Sequence, residues 1–133
     1  TIIQIYNNGN IDDEFMDIVK GIQKETGITN TSFSAERLIV RQVNEAIYCL
    51  QEGVASAEDI DRAMVLGTGF PVNEKGVGGP LHWADERGLD EVLQLLEDLK
   101  SHFGGRFWPH YLLKSFVHAG RLGKKSNKGF FAY

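Results

Sequence analysis

The stretch "ERLIVRQVNEAIYCLQEGVASAEDIDRAMVLGTGFP", Glu36 to Pro71, decides the fold. Leu38, Ile39, Val43, Ile47 and Leu50 fall on one stripe of a 3.6-residue period, which predicts a long central helix from near Ser34 to Gly53. Ser34-Ala35-Glu36-Arg37 puts a hydroxyl and a carboxylate where exposed amides need partners. Ser56-Ala57-Glu58-Asp59 opens a second helix in the same way, with Ile60, Ala63 and Met64 facing inward, and Gly67 and Gly69 end it.

Outward from this pair the pattern stays helical. Thr68 to Pro80 holds four glycines and two prolines, a density that forbids regular structure and makes this the principal loop. Leu81 to Arg87 reads as a turn or two of helix. Leu89 to Phe103 carries Val92, Leu95, Leu96 and Leu99 on one face and Glu91, Glu97, Asp98 and Lys100 off it. Gly104-Gly105 breaks the chain, Pro109 suits a first helical position, and Tyr111, Leu112, Leu113, Phe116 and Val117 fill a last short helix closed by Gly120 and Gly123. Toward the N-terminus, Phe15, Ile18, Val19 and Ile22 share a helical face behind Asp12-Asp13-Glu14, while Thr1 to Tyr6 reads as a short strand or draped arm. The sum is an all-α fold of five or six short helices.

Composition narrows the functions open to such a fold. A hydrophobic fraction of 42% with 24% charged residues is that of an ordinary globule, and a net charge of −4 argues against a general polyanion binder. Cys49 is the only cysteine, so no disulfide within the chain is possible, and its apolar neighbours Ile47, Tyr48 and Leu50 point to an inert packed thiol. No apolar run approaches the roughly 18 residues of a membrane span, and Thr1 to Asn10 lacks the pattern of a signal peptide. A cytoplasmic protein is expected, with no membrane partner, and a chain that opens on threonine is expected to be a piece of something longer.

The residues that could carry chemistry read mostly as structure. "GKKSNKG" in the tail has the composition of a phosphate loop but the wrong order, and no helix follows it. Arg121, Lys124, Lys125 and Lys128 beside Phe130, Phe131 and Tyr133 could serve a nucleic acid, yet the acidic body favours aromatic anchors with solvated lysines, and no nucleic-acid partner is expected. His82, His102, His110 and His118 show no zinc-binding spacing, so no metal is expected and edge histidines are the default. Asp59 with Asp61, and Asp85 with Glu86, read as caps and solvated faces. No nucleophile set and no Gly-x-Gly-x-x-Gly fingerprint is visible, so neither catalytic nor cofactor-binding residues are assigned.

Glu36 to Pro71 together with the closing "AGRLGKKSNKGFFAY" resembles the helical C-terminal domain of 3-hydroxyacyl-CoA dehydrogenases. The motifs Val43-Asn44-Glu45-Ala46, Glu52 to Ser56 and Gly67 to Pro71 occur in the family's order, from about Ser32 to Tyr133. The resemblance implies a 6-phosphogluconate-dehydrogenase-C-terminal-like helical domain over residues 32–133, with residues 1–31 as an N-terminal arm and helix or an inter-domain linker. It also implies that NAD and the catalytic His-Glu pair belong to a Rossmann domain of the parent protein, this segment binding no cofactor itself. The family's asparagine beside the substrate is replaced by Glu36, next to Arg37, which makes these two the substrate-adjacent candidates and opposes a developing oxyanion. The long loop "PVNEKGVGGPLHWAD" looks like the second helical repeat of fused hydratase-dehydrogenase enzymes. The implied partners are therefore the Rossmann domain and a first helical repeat, or a homodimer partner, with acyl-CoA contacted indirectly. Trp83, Phe107 and Trp108 are candidates for such contact or for internal core. The alternative function is a stand-alone helical association module.

Overall fold

A computed structural model describes residues 35–133 of the chain. The N-terminal arm, the helix expected after Asp12 and Ser34 lie outside the described residues. The chain divides into two compact units, Thr1–Ile39 and Val40–Tyr133. The described part of the first is the opening turn of helix α1, in which Leu38 and Ile39 donate backbone N–H to the Ala35 carbonyl at 3.0 and 3.3 Å.

Helix α1 spans Glu36–Gln51, and within the second unit it buries Val40, Val43, Ala46 and Ile47. Helix α2, Ala57–Thr68, begins at the expected cap, where the Ser56 hydroxyl accepts the Asp59 N–H at 3.2 Å. Its inward face differs from the expectation. Ile60 is buried and Met64 half-buried, but Ala63 is exposed and Asp61 is buried. The apolar stripe of this short helix is too thin to fix its rotation, and the buried carboxylate fixes it instead.

Pro80 occupies the first position of helix α3, Pro80–Arg87, which buries Pro80, Leu81, Ala84 and Asp85. Helix α4, Leu89–Phe103, buries Leu89, Val92, Leu96 and Leu99, each contributing about 1.5–3 kcal/mol relative to exposure. A 3-10 turn over Gly105–Phe107 leads to helix α5, Tyr111–His118. Pro109 stands one residue before the cap His110 and is not the first helical residue, because the His110 side chain already accepts the Leu112 N–H. A second 3-10 turn, Lys124–Ser126, precedes the C-terminus.

Helix α2 packs on α3, α3 on α4, and α4 on both the Gly105–Phe107 turn and α5. Among the described residues, β structure is confined to the isolated bridges Val72 to Gly78, Gly123 to Lys128 and Lys128 to Ala132. The described fold is all-α, with five α-helices.

Candidate functional site

Glu36 and Arg37 are the first two residues of α1 and both are half-buried. A carboxylate in the first turn faces the positive end of the helix dipole, which suits Glu36 there as an anion. In the second unit the chemistry gathers around two acids and one amide.

Asp61 reaches from α2 to the start of α3. Its Oδ1 accepts the Leu81 N–H at 2.8 Å, and its Oδ2 accepts the His82 N–H at 2.8 Å. The carboxylate thus caps a helix whose own N-cap, Gly79, has no side chain to offer. Gly79 has a φ of +109°, and a Cβ there would collide with Asp61, so the close approach requires glycine. The His82 Nδ1 meets Asp61 Oδ2 at 2.7 Å, and the imidazole stacks on Phe131 with centroids 3.7 Å apart. Burial pushes the Asp61 carboxyl above the usual carboxylate range, against the pull of the Leu81 and His82 N–H groups and the imidazole.

Asp85, fully buried on α3, holds the end of the chain. It accepts the Phe130 N–H at 2.9 Å, the Phe131 N–H at 3.0 Å and the Tyr133 hydroxyl at 3.0 Å. Burial and the Asp85 charge hold the Tyr133 phenol proton well above its ordinary range, so the hydroxyl stays a donor. A Cβ on Gly129 would collide with the Asp85 carboxylate. Arg121 adds a strap, donating to the Gly129 carbonyl while its guanidinium lies 3.8 Å from the Phe116 ring centre. The tail is a structural anchor, as its aromatic residues suggest. Lys124 and Lys125 are exposed and pair with Glu86 at 3.1 Å and Asp90 at 2.6 Å.

Asn44 is the third centre. Its Nδ2 donates to the Trp108 carbonyl at 2.8 Å and its Oδ1 accepts the His110 N–H at 3.0 Å. His110 is buried, contrary to the expected edge position, and its ring meets Tyr48 edge-on at 4.5 Å. Burial pushes its imidazole below the usual range, with Glu52 opposing weakly.

The remaining sequence candidates are dispersed. His102 and His118 are exposed, and Cys49 is half-buried and free. Phe107 is core, Trp108 is 57% exposed, and Trp83 is half-buried in the wall of a cavity of about 220 Å³. No group of three His, Cys, Asp or Glu side chains among the described residues could hold a metal ion. Asp61 is a cap, as its reading allowed, but of the following helix, and both Asp61 and Asp85 are buried where a solvated face was the other expectation. The local signal lay in glycines and N–H groups that need an acceptor, not in the acids themselves. No helix among the described residues is long and apolar enough to cross a membrane.

Comparison with known proteins agrees with this geometry. The sequence profile of the 3-hydroxyacyl-CoA dehydrogenase C-terminal domain matches residues 33–133. A probable 3-hydroxybutyryl-CoA dehydrogenase of Bacillus subtilis is 45% identical over 102 residues, 76% of this chain and 33% of that protein. The fatty acid oxidation complex subunit alpha of Shewanella amazonensis is 41% identical over 88 residues, 65% of this chain and 12% of that protein. The crystal structure of (S)-3-hydroxybutyryl-CoA dehydrogenase PaaH1 from Ralstonia eutropha superposes with a TM-score of 0.71 at 33% identity, over 93% of this chain and 44% of that one. The chain spans about a third of the length of the Bacillus subtilis relative.

Proposed function

The chain belongs to the 3-hydroxyacyl-CoA dehydrogenase C-terminal domain family, and from that premise we propose that it is the dimerising, substrate-side helical domain of an NAD-dependent 3-hydroxyacyl-CoA dehydrogenase of fatty-acid β-oxidation. The observation that carries this reading is the profile match over residues 33–133, in a chain whose matched part covers a third of its Bacillus subtilis relative. The hydride acceptor and the acid-base pair then reside in a Rossmann domain of the parent protein, in the cytoplasm. This segment closes the acyl-CoA cleft and contributes no catalytic residue. Residues 32–133 are the helical domain, and residues 1–31 lead into it.

Likeness to a fatty acid oxidation complex subunit supports a second-repeat position, in which the domain packs on a first helical repeat or a dimer partner. In that place Glu36 stands near the substrate without stabilising its oxyanion, and Arg37 flanks it.

The chain alone is expected to show no saturable binding of NAD in calorimetry. Fused behind the Rossmann domain of a 3-hydroxybutyryl-CoA dehydrogenase deprived of its own helical domain, it is expected to restore a folded, dimeric particle. Its Glu36→Asn variant is expected to raise NADH formation in that fusion. Tight NAD binding by the chain alone, or a fusion that stays monomeric, would sink the proposal.

A further inference from the structure

We propose that the cavity beside α3 is a binding site for an alkylammonium group, that is, a primary ammonium on a short aliphatic stem. One wall is the loop from Pro71 to Gly78, closed by the bridge between Val72 and Gly78. Asn73 braces this loop, its Oδ1 accepting the Lys75 N–H at 2.9 Å and the Val77 N–H at 3.0 Å. The other wall is α3, which presents His82, Trp83 and Glu86. His82 and Glu86 are one helical turn apart and share a face.

The chemistry of the lining selects the ligand. Val72 and Val77 are 48% and 42% exposed, leaving apolar surface for a methylene stem to cover. Glu86 supplies an anion and Trp83 an aromatic ring, both of which attract an ammonium. His82 adds a ring to the lining whose Nδ1 is already engaged by the Asp61 carboxylate at 2.7 Å. The lining holds one carboxylate, Glu86, and no lysine or arginine, which disfavours a carboxylate or phosphate ligand. The volume of about 220 Å³ is below that of a drug-sized pocket and suits a small ligand such as a short aliphatic amine.

Lys124 already shows the preference. Its Nζ comes from the tail to 3.1 Å from Glu86 Oε1, although Lys124 is not part of the lining. An exposed pair of this kind is weak and can be displaced. Lys124 therefore acts as an internal competitor for the ammonium position.

The test is titration of the full chain at pH 8, where primary amines are cationic, with n-pentylamine, pentanoate and the peptide Gly-Lys-Gly. Binding is read from Trp83 indole and Val72 and Val77 methyl shifts in NMR. Pentylamine should bind saturably and pentanoate should not, with affinity rising about three- to fourfold per added methylene from propyl to pentyl. Glu86→Gln should weaken binding at least tenfold, and Lys124→Ala should tighten it severalfold. Both side chains are exposed, so the fold should tolerate the changes. Binding of Gly-Lys-Gly tenfold tighter than pentylamine assigns the site to a partner's lysine, and the reverse assigns it to a free amine. Equal binding of pentanoate, absence of saturable shifts, or indifference to Glu86→Gln overturns the proposal.

Discussion

Asn44 and Asp85 each hold irregular backbone against the helical core, yet one is a neutral amide and the other an acid, and the backbone they hold differs to match. Asn44 offers a donor and an acceptor, so it can bracket a segment passing through, gripping the Trp108 carbonyl and the His110 N–H together. An ionised carboxylate only accepts, so Asp85 must gather donors, and it gathers two successive amides and a phenol as the chain ends. A through-going turn suits an amide, and a terminus that curls around one point suits an acid.

The sharpest way to break the comparison is Asp85→Ala. Three donors lose an acceptor inside the fold, at roughly 1.5–3 kcal/mol for each bond to a charged group and less than additively in sum. Urea unfolding should show a loss of about 3–5 kcal/mol, and the tail after Arg121 should become sensitive to protease. A loss within about 0.5 kcal/mol, the range of ordinary surface changes, would mean that the tail is held by Phe130 on Phe116 and not by the acid.

Asn44→Ala should cost less, about 2–3 kcal/mol, because the two bonds are neutral. Asn44→Asp separates size from chemistry. It keeps the acceptor for His110 but turns a second acceptor toward the Trp108 carbonyl, so at neutral pH it should be worse than alanine and recover on acidification. If the aspartate variant is as stable as wild type at pH 7, the amide donor is irrelevant and the contrast with Asp85 falls.

The helices were legible in sequence because their evidence is local. The Ser56 cap, the stripe Val92, Leu96 and Leu99, and the breaks at Gly69 and Gly104 each sit within a few residues of what they determine. The candidate site was less legible because its partners are far apart in the chain. Asp61 serves amides about twenty residues on, Asp85 about forty-five and Asn44 about sixty-six. A buried aspartate that caps another element has the same sequence signature as a solvated one. The positions of Gly79 and Gly129 were the only hint, since each leaves room for an acid against the backbone. The family tail was recognisable as an anchor, while its attachment to one carboxylate needed the fold.

The smallest expected effect separates the two kinds of clamp by pH. His110, beside Asn44, is held below the usual imidazole range by burial, so near its ordinary value of about 6.5 the unfolded chain takes up the proton first. Stability from this group is complete above that value and is lost as pH falls through it toward the folded-state value. Asp61, in the acid cluster, is raised by burial, so the folded state takes up its proton first. Its contribution runs the other way, full below the ordinary carboxylate value of about 3.8 and lost as pH rises through the folded-state value. His110→Asn keeps an acceptor for the Leu112 N–H and removes the titration. Melting temperatures of wild type and this variant should therefore converge as pH drops from 7.5 to 5.5, with the wild type losing more. Parallel curves would show that His110 protonates equally in both states, and the amide clamp would then not depend on a neutral imidazole.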